Sequence, residues 1–218
     1  LASANYAINV FVNCPFDGTY APLMEALVFA IHDCGYIARS ALEAEDSAEV
    51  RMDKISKIIK DCRYGIHDIS RTEVGADTGL PRFNMPLELG LFLGARRFGS
   101  RTDKLKACLI LDRARYRYQQ FCSDIAGQDI RSHDDLPETA IKVVRNWLQT
   151  NSPTPEVLMP GGSAMARRFA LFQDDLPLLC QRLKLERNEL IFNDYTTLIA
   201  AWLSENAWWD GEEERSTS

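Results

Sequence analysis

No apolar stretch of the 218-residue chain approaches the ~20 residues needed to cross a bilayer, and its N-terminus lacks the basic-then-apolar succession of a secretion signal. The expectation is a cytoplasmic protein that does not enter a membrane. The six cysteines (Cys14, Cys34, Cys62, Cys108, Cys122, Cys180) form no C-x-x-C pair and read as reduced, mostly packed residues. The three histidines, His32, His67 and His133, have no close metal spacing, so no metal site is expected. Positive charge is also scarce: 25 Lys and Arg against 31 Asp and Glu give a net charge of −6, which argues against a broad nucleic-acid surface and leaves room for a small anionic ligand. Arg51, Arg63, Arg71 and Arg82 flank the predicted second and third strands and read as surface residues unless a cleft gathers them. There is no G-x-G-x-x-G phosphate loop and no internal repeat.

What is there alternates. Asn9–Asn13 is a short β-rich run stopped by Cys14-Pro15, and Tyr20 to Cys34 follows with apolar residues at helical spacing. Gly35 ends that helix, Tyr36 to Ala41 is a second strand, and Met52, Ile55, Ile58 and Ile59 mark the inner face of a second helix. Tyr64 to Ile69 is a third strand, Ser70 to Phe83 a loop, and Ala107 to Leu111 a fourth strand ended by Asp112. Strands joined by helices run parallel, so the expected fold is α/β, a doubly wound (flavodoxin-like) parallel sheet over residues 1–150. Residues 151–218 read as a linker, centred on Gln149 to Ser163, and a C-terminal helical extension. In that extension Met165 to Leu183 is expected to break at Pro177, and Asp194 to Trp208 to form a second helix. Its apolar faces pack within the monomer or, in the alternative, against another subunit of a homo-oligomer.

Ligands bind beyond the carboxyl ends of such strands, which here are Asn13 to Asp17, Ser40 to Asp46, Asp68 to Arg71, and Asp112. One carboxylate stands out beside that edge. In Met85-Pro-Leu-Glu-Leu-Gly-Leu-Phe-Leu-Gly-Ala95, Glu88 is the sole charged residue, and a buried charge without a partner costs several kcal/mol. Pro86 suggests that a helix begins here, with Glu88 in its first turn where the helix dipole favours an anion; that purely structural explanation stands beside a functional one. Gly90 and Gly94 suggest close packing against the helix backbone, and Asn84 reads as its cap or as a ligand contact. A partly desolvated carboxylate under a sheet edge suits stabilisation or capture of an oxocarbenium-like sugar carbon, hence cleavage of an N-glycosidic bond. Phe16 can stack on a base and Tyr20 reads as core, while Glu43 and Asp46 face water. Asp68 either binds a ribose hydroxyl or ends its strand as a turn cap. Cys14 reads as a packed residue, a Cys14–His67 nucleophile and base pair being the alternative.

Three segments carry a family resemblance: Asn13-Cys-Pro-Phe-Asp17, Cys62-Arg-Tyr-Gly-Ile-His-Asp-Ile-Ser70 and Pro86-Leu-Glu-Leu-Gly90. Over about residues 8 to 112 the chain resembles the superfamily joining nucleoside 2-deoxyribosyltransferases with TIR (Toll/interleukin-1 receptor) domains. The resemblance implies that Glu88 is the catalytic carboxylate and that Asp68 matches the aspartate at the end of the transferases' third strand. It further implies N-glycosidic cleavage or transfer on a nucleotide or nucleoside, with NAD as a substrate rather than a prosthetic group, and a role in bacterial antiphage defence or signalling. Asn13, Cys14, Phe16, Asp17, Asp68, Arg71 and Asn84 are the expected substrate-binding residues. The loop Cys14-Pro-Phe-Asp17 departs from the Ser-rich loop of TIR domains. The rival function is a non-catalytic module that binds a nucleotide or a TIR-type partner. A phosphate-sensing receiver fits less well, because the first strand does not end in an acidic cluster.

Overall fold

A computed structural model describes residues 4–72 and 83–208. Five parallel strands form one sheet: β1 (Asn9–Asn13), β2 (Ile37–Arg39), β3 (Tyr64–Asp68), β4 (Ala107–Asp112) and β5 (Arg131–Ser132), in the spatial order β2-β1-β3-β4-β5. This is a doubly wound order. β1 lies between β2 and β3, with Val10 opposite Tyr64 and Asn13 opposite His67, so the chain changes direction across the sheet at the β1–β3 boundary. Both of its neighbours are strands and both of its faces are covered, which is why all five residues of β1 are buried.

The two faces sort the side chains by alternation. Val10, Val12, Tyr64, Ile66, Leu109 and Leu111 join the core built with α1 (Ala21–Asp33) and α4 (Pro137–Asn151), while Phe11 meets Ile55, Ile58 and Ile59 of α2 (Arg51–Lys60) and Phe92 of α3 (Asn84–Phe98). Gly65 is required on that second face: a Cβ there would lie 2.7 Å from the Phe92 ring. α5 (Gly162–Leu183) and α6 (Phe192–Glu205) cover the outside of α1 and α4. This explains a helix that is apolar on all sides. Phe29 of α1 turns away from the sheet into a cluster with Phe169, Phe172 and Trp202.

Several expectations change at this level. The second strand shortens to three residues, Met52 faces outward rather than into the core, and β5 has no counterpart in the expected strands. α5 runs unbroken through Pro177, which sits on its exposed side, where the carbonyl of Gln173 can turn to water. The connection between α4 and α5 covers only residues 152–161, and α6 ends before Trp208. Among the described residues no helix is long and apolar enough to span a membrane.

Candidate functional site

The carboxyl ends of β1 and β3 bring the expected residues to one edge. Beyond β1, Asp17 Oδ1 accepts the backbone N–H groups of Thr19 and Tyr20, both at 3.1 Å, and the Thr19 hydroxyl at 2.5 Å. The Thr19 hydroxyl, above all, holds its carboxyl below the usual range. Asp17 therefore shapes the loop that leads into α1. Arg71 reaches across from the end of β3, donating to Thr19 Oγ1 at 2.6 Å and standing 3.9 Å from Asp17 Oδ1. Phe16 projects from the same loop, 39% exposed. Cys14 is wholly buried; that burial, reinforced by the charges of Asp68, Glu88 and Asp17, drives its thiol well above its ordinary range.

Cys14 and His67 do not make a nucleophile and base pair. Asn13 donates through Nδ2 to the backbone oxygen of Met85 at 2.9 Å and approaches His67 Nδ1 at 3.0 Å, which ties the end of β1 to the start of α3. His67 packs edge-on against Phe92 and Phe11, and complete burial brings its pKa down to about 3. It is a neutral core group that takes up no second proton near neutrality.

Asp68 is also fully buried. Its Oδ2 accepts the Tyr20 hydroxyl at 2.6 Å and lies 2.9 Å from His133 Nε2; its Oδ1 accepts the Ser70 N–H at 2.7 Å. Tyr20 is thus a core residue with a polar tip in the site. The Ser70 contact is the turn-capping bond expected of an aspartate at a strand end. His133 comes from the segment after β5, beyond the strands that the sequence made visible.

Glu88 lies on the inner side of α3, on the sheet face that α3 shares with α2, 4% exposed. α3 starts at Asn84 with Phe83 as its cap residue and no side-chain cap bond, so Asn84 is an exposed first residue and not a cap. Glu88 is the fifth residue of the helix, beyond the first turn, where the orphan N–H groups would have explained a carboxylate. Gly90 and Gly94 do not mark close packing either: a Cβ at either would meet nothing within 4 Å. Among the described residues the cation within salt-bridge reach is Arg51, the first residue of α2, with Nη2 at 3.8 Å and its side chain 52% exposed. So long and wet a pair offers on the order of 1 kcal/mol, less than the several kcal/mol that desolvating a carboxylate costs. Burial accordingly pushes the Glu88 carboxyl up, with Arg51 pulling it part of the way back.

Of the four arginines named from the sequence, Arg51 and Arg71 reach the site. Arg63 stacks over Tyr64 at the start of β3, away from this edge, and Arg82 lies outside the described residues. Sequence reasoning missed Arg117. It donates to Asp112 Oδ1 at 2.7–2.8 Å and to the backbone oxygens of Ile69 and Ser70, stapling the ends of β3 and β4. Some of the buried polar atoms without a hydrogen-bond partner lie at this edge, namely Asn13 Oδ1, Ser70 Oγ, Asp112 Oδ2 and His133 Nε2, while others, such as Asn9 Oδ1 and His32 Nε2, lie elsewhere. Native interiors leave few such atoms, and those at this edge stand near the strand ends where a doubly wound sheet takes its ligand. No group of three or more His, Cys, Asp or Glu able to hold a metal occurs among the described residues. A cleft of about 440 Å³ lined by Cys108, Gln128, Arg131 and Trp147 lies along the edge of β4, apart from Glu88 and Asp68. Comparison with known protein families, curated proteins and solved structures gives no match for this chain.

Proposed function

We propose that the chain binds a nucleotide or nucleoside at the carboxyl edge of its sheet and that Glu88 cleaves or transfers the N-glycosidic bond, with NAD as the foremost substrate. The observation that carries this reading is a buried carboxylate whose counter-ion among the described residues is the distant, half-exposed Arg51, placed where neither helix capping nor packing accounts for it. In the reaction the bond from the sugar carbon to the base nitrogen breaks, the electron pair leaves with the base, and the Glu88 carboxylate stabilises or captures the resulting oxocarbenium carbon. Water then completes hydrolysis, or a second base completes transfer. The resemblance to deoxyribosyltransferases and TIR domains supports the same assignment. Phe16 and Arg71 are exposed at this edge, suited to a base and to an anionic group, whereas Asn13, Cys14 and Asp68 are buried there.

Purified protein and its Glu88→Gln variant, incubated separately with NAD and with deoxynucleosides, test the proposal. The expected result is turnover by the wild type and a loss of at least about a hundredfold in the variant at unchanged fold. Equal turnover by both proteins removes Glu88 from the chemistry. The rival, a binding module, is recognised by a nucleotide that raises the melting temperature of both proteins and is never consumed.

A further inference from the structure

The turn after β5 holds two consecutive aspartates in the left-handed region. Asp134 and Asp135 both have φ of 55°, and the Leu136 N–H donates to the His133 carbonyl at 2.9 Å, closing a turn whose two central residues are left-handed. Glycine, asparagine and aspartate are the residues that fill such turns. The turn is anchored by the His133 N–H, which donates to the Asp112 carbonyl at 3.1 Å. Its product is a fixed imidazole. Asp135 N–H donates to His133 Nδ1 at 3.0 Å, so Nδ1 is the acceptor and the ring proton resides on Nε2, which stands 2.9 Å from Asp68 Oδ2 in a close polar contact outside hydrogen-bond alignment. The same oxygen accepts the Tyr20 hydroxyl, and Tyr20 closes the loop that begins at Cys14 and carries Phe16. His133, Asp68 and Tyr20 are all buried, which keeps water from competing for these contacts.

We propose that His133 is a positioning residue: through Asp68 and Tyr20 it holds the Cys14–Tyr20 loop, and with it Phe16, in the geometry that receives the ligand. The contribution to ligand binding rests on the function proposed above; the contribution to the loop does not. The relay acts through one hydrogen bond, from Tyr20 to Asp68, and one close polar contact, of His133 Nε2 with Asp68, and touches no reacting atom, so its loss weakens substrate capture more than the chemical step.

The test compares His133→Leu, which removes the donor, with His133→Gln, whose side-chain amide restores one toward Asp68. Nitrogen NMR of the wild type at about pH 8, where histidine is ordinarily neutral, is expected to show the proton on Nε2. Amide hydrogen exchange at Thr19 and Tyr20 is expected to quicken at least about tenfold in His133→Leu and to stay within about threefold of wild type in His133→Gln. With NAD as the probe, KM rises about tenfold or more in the leucine variant with kcat little changed, and the glutamine variant recovers most of it. A proton on Nδ1, or Thr19 and Tyr20 exchange in His133→Leu equal to that of wild type, overturns the proposal. If His133→Leu does not fold, His133→Gln and Asp134→Gly decide it: the first must retain the slow exchange of the loop and the second must retain both the tautomer and the loop. If the wild type neither binds nor consumes NAD or deoxynucleosides, the glycosidic reading fails, and the tautomer and exchange measurements still decide the relay.

Discussion

At Glu88 burial and charge oppose one another, and the outcome is measurable without knowing the substrate. Burial raises the carboxyl above its ordinary value of 4.5, so the folded protein holds this proton more tightly than the unfolded chain does. Between the ordinary and the raised value the unfolded chain binds fewer protons, and stability falls as pH climbs through that window and stays lower above it. Glu88→Gln keeps the shape and removes the charge. Its melting temperature at about pH 7 is therefore expected to equal or exceed that of wild type, with the difference closing as pH falls toward 4.5. A glutamine variant that melts lower at about pH 7 would make the carboxylate a structural partner of Arg51, and the explanation for its burial would lie in the fold. A residue that costs stability and yet controls turnover is the signature of a site whose electrostatics serve chemistry.

Within α3 the two glycines separate what a helix needs from what its sequence hints at. Gly90 and Gly94 have open space where a Cβ would be, so each alanine substitution is expected to stabilise by about 1 kcal/mol, read as a rise of about 2–4 °C in a chain of this size. Gly65→Ala should do the reverse, because its Cβ would press on the Phe92 ring and on His67 Nε2 at 2.8 Å. Thermal melts of the three single variants check both signs. These glycines also show where the sequence speaks and where it does not. β1, α1, β3 and β4 were legible because each writes its burial into a local run of apolar residues with a clear stop, and the doubly wound order follows from their alternation with helices. β5 has two residues and no periodicity to read. The lone charge in an apolar run identified Glu88, and strand ends identified Asn13 and Asp68. Arg51 as its counter-ion, Arg117 as the staple and His133 behind Asp68 depend on contacts between distant segments that no local pattern encodes. The nearest local signal for His133 was the Asp134-Asp135 pair, which precedes Pro137 in the manner of a turn, and it carries no information about the direction of the imidazole.

For the molecule as a whole the question is whether residues 152–208 are an accessory or part of one core. Nine of their side chains, from Met165 through Phe172, Leu176 and Cys180 to Phe192, Tyr195, Leu198, Ile199 and Trp202, belong to the same buried cluster as β1 and α1. At roughly 1.5–3 kcal/mol per buried large apolar side chain, that cluster represents more than the whole net stability of about 5–15 kcal/mol expected of a domain. Polar ties run the same way: Asp33 of α1 is reached by Arg168 at 3.1 Å and by Trp208 Nε1 at 2.9 Å, and Glu25 by Arg187 and Gln173. A chain ended after Asn151 would leave Phe29 and its neighbours on α1 facing water with no partner helix. Such a fragment is expected to aggregate or to retain helical circular dichroism while losing near-ultraviolet signal, and the intact protein to unfold in one transition by far-ultraviolet circular dichroism and by tryptophan fluorescence. A soluble fragment that melts cooperatively would instead make the C-terminal helices a separable extension, and the apolar far side of α1 would then require another explanation, for which a second copy of the chain is the first to test by measuring oligomeric state.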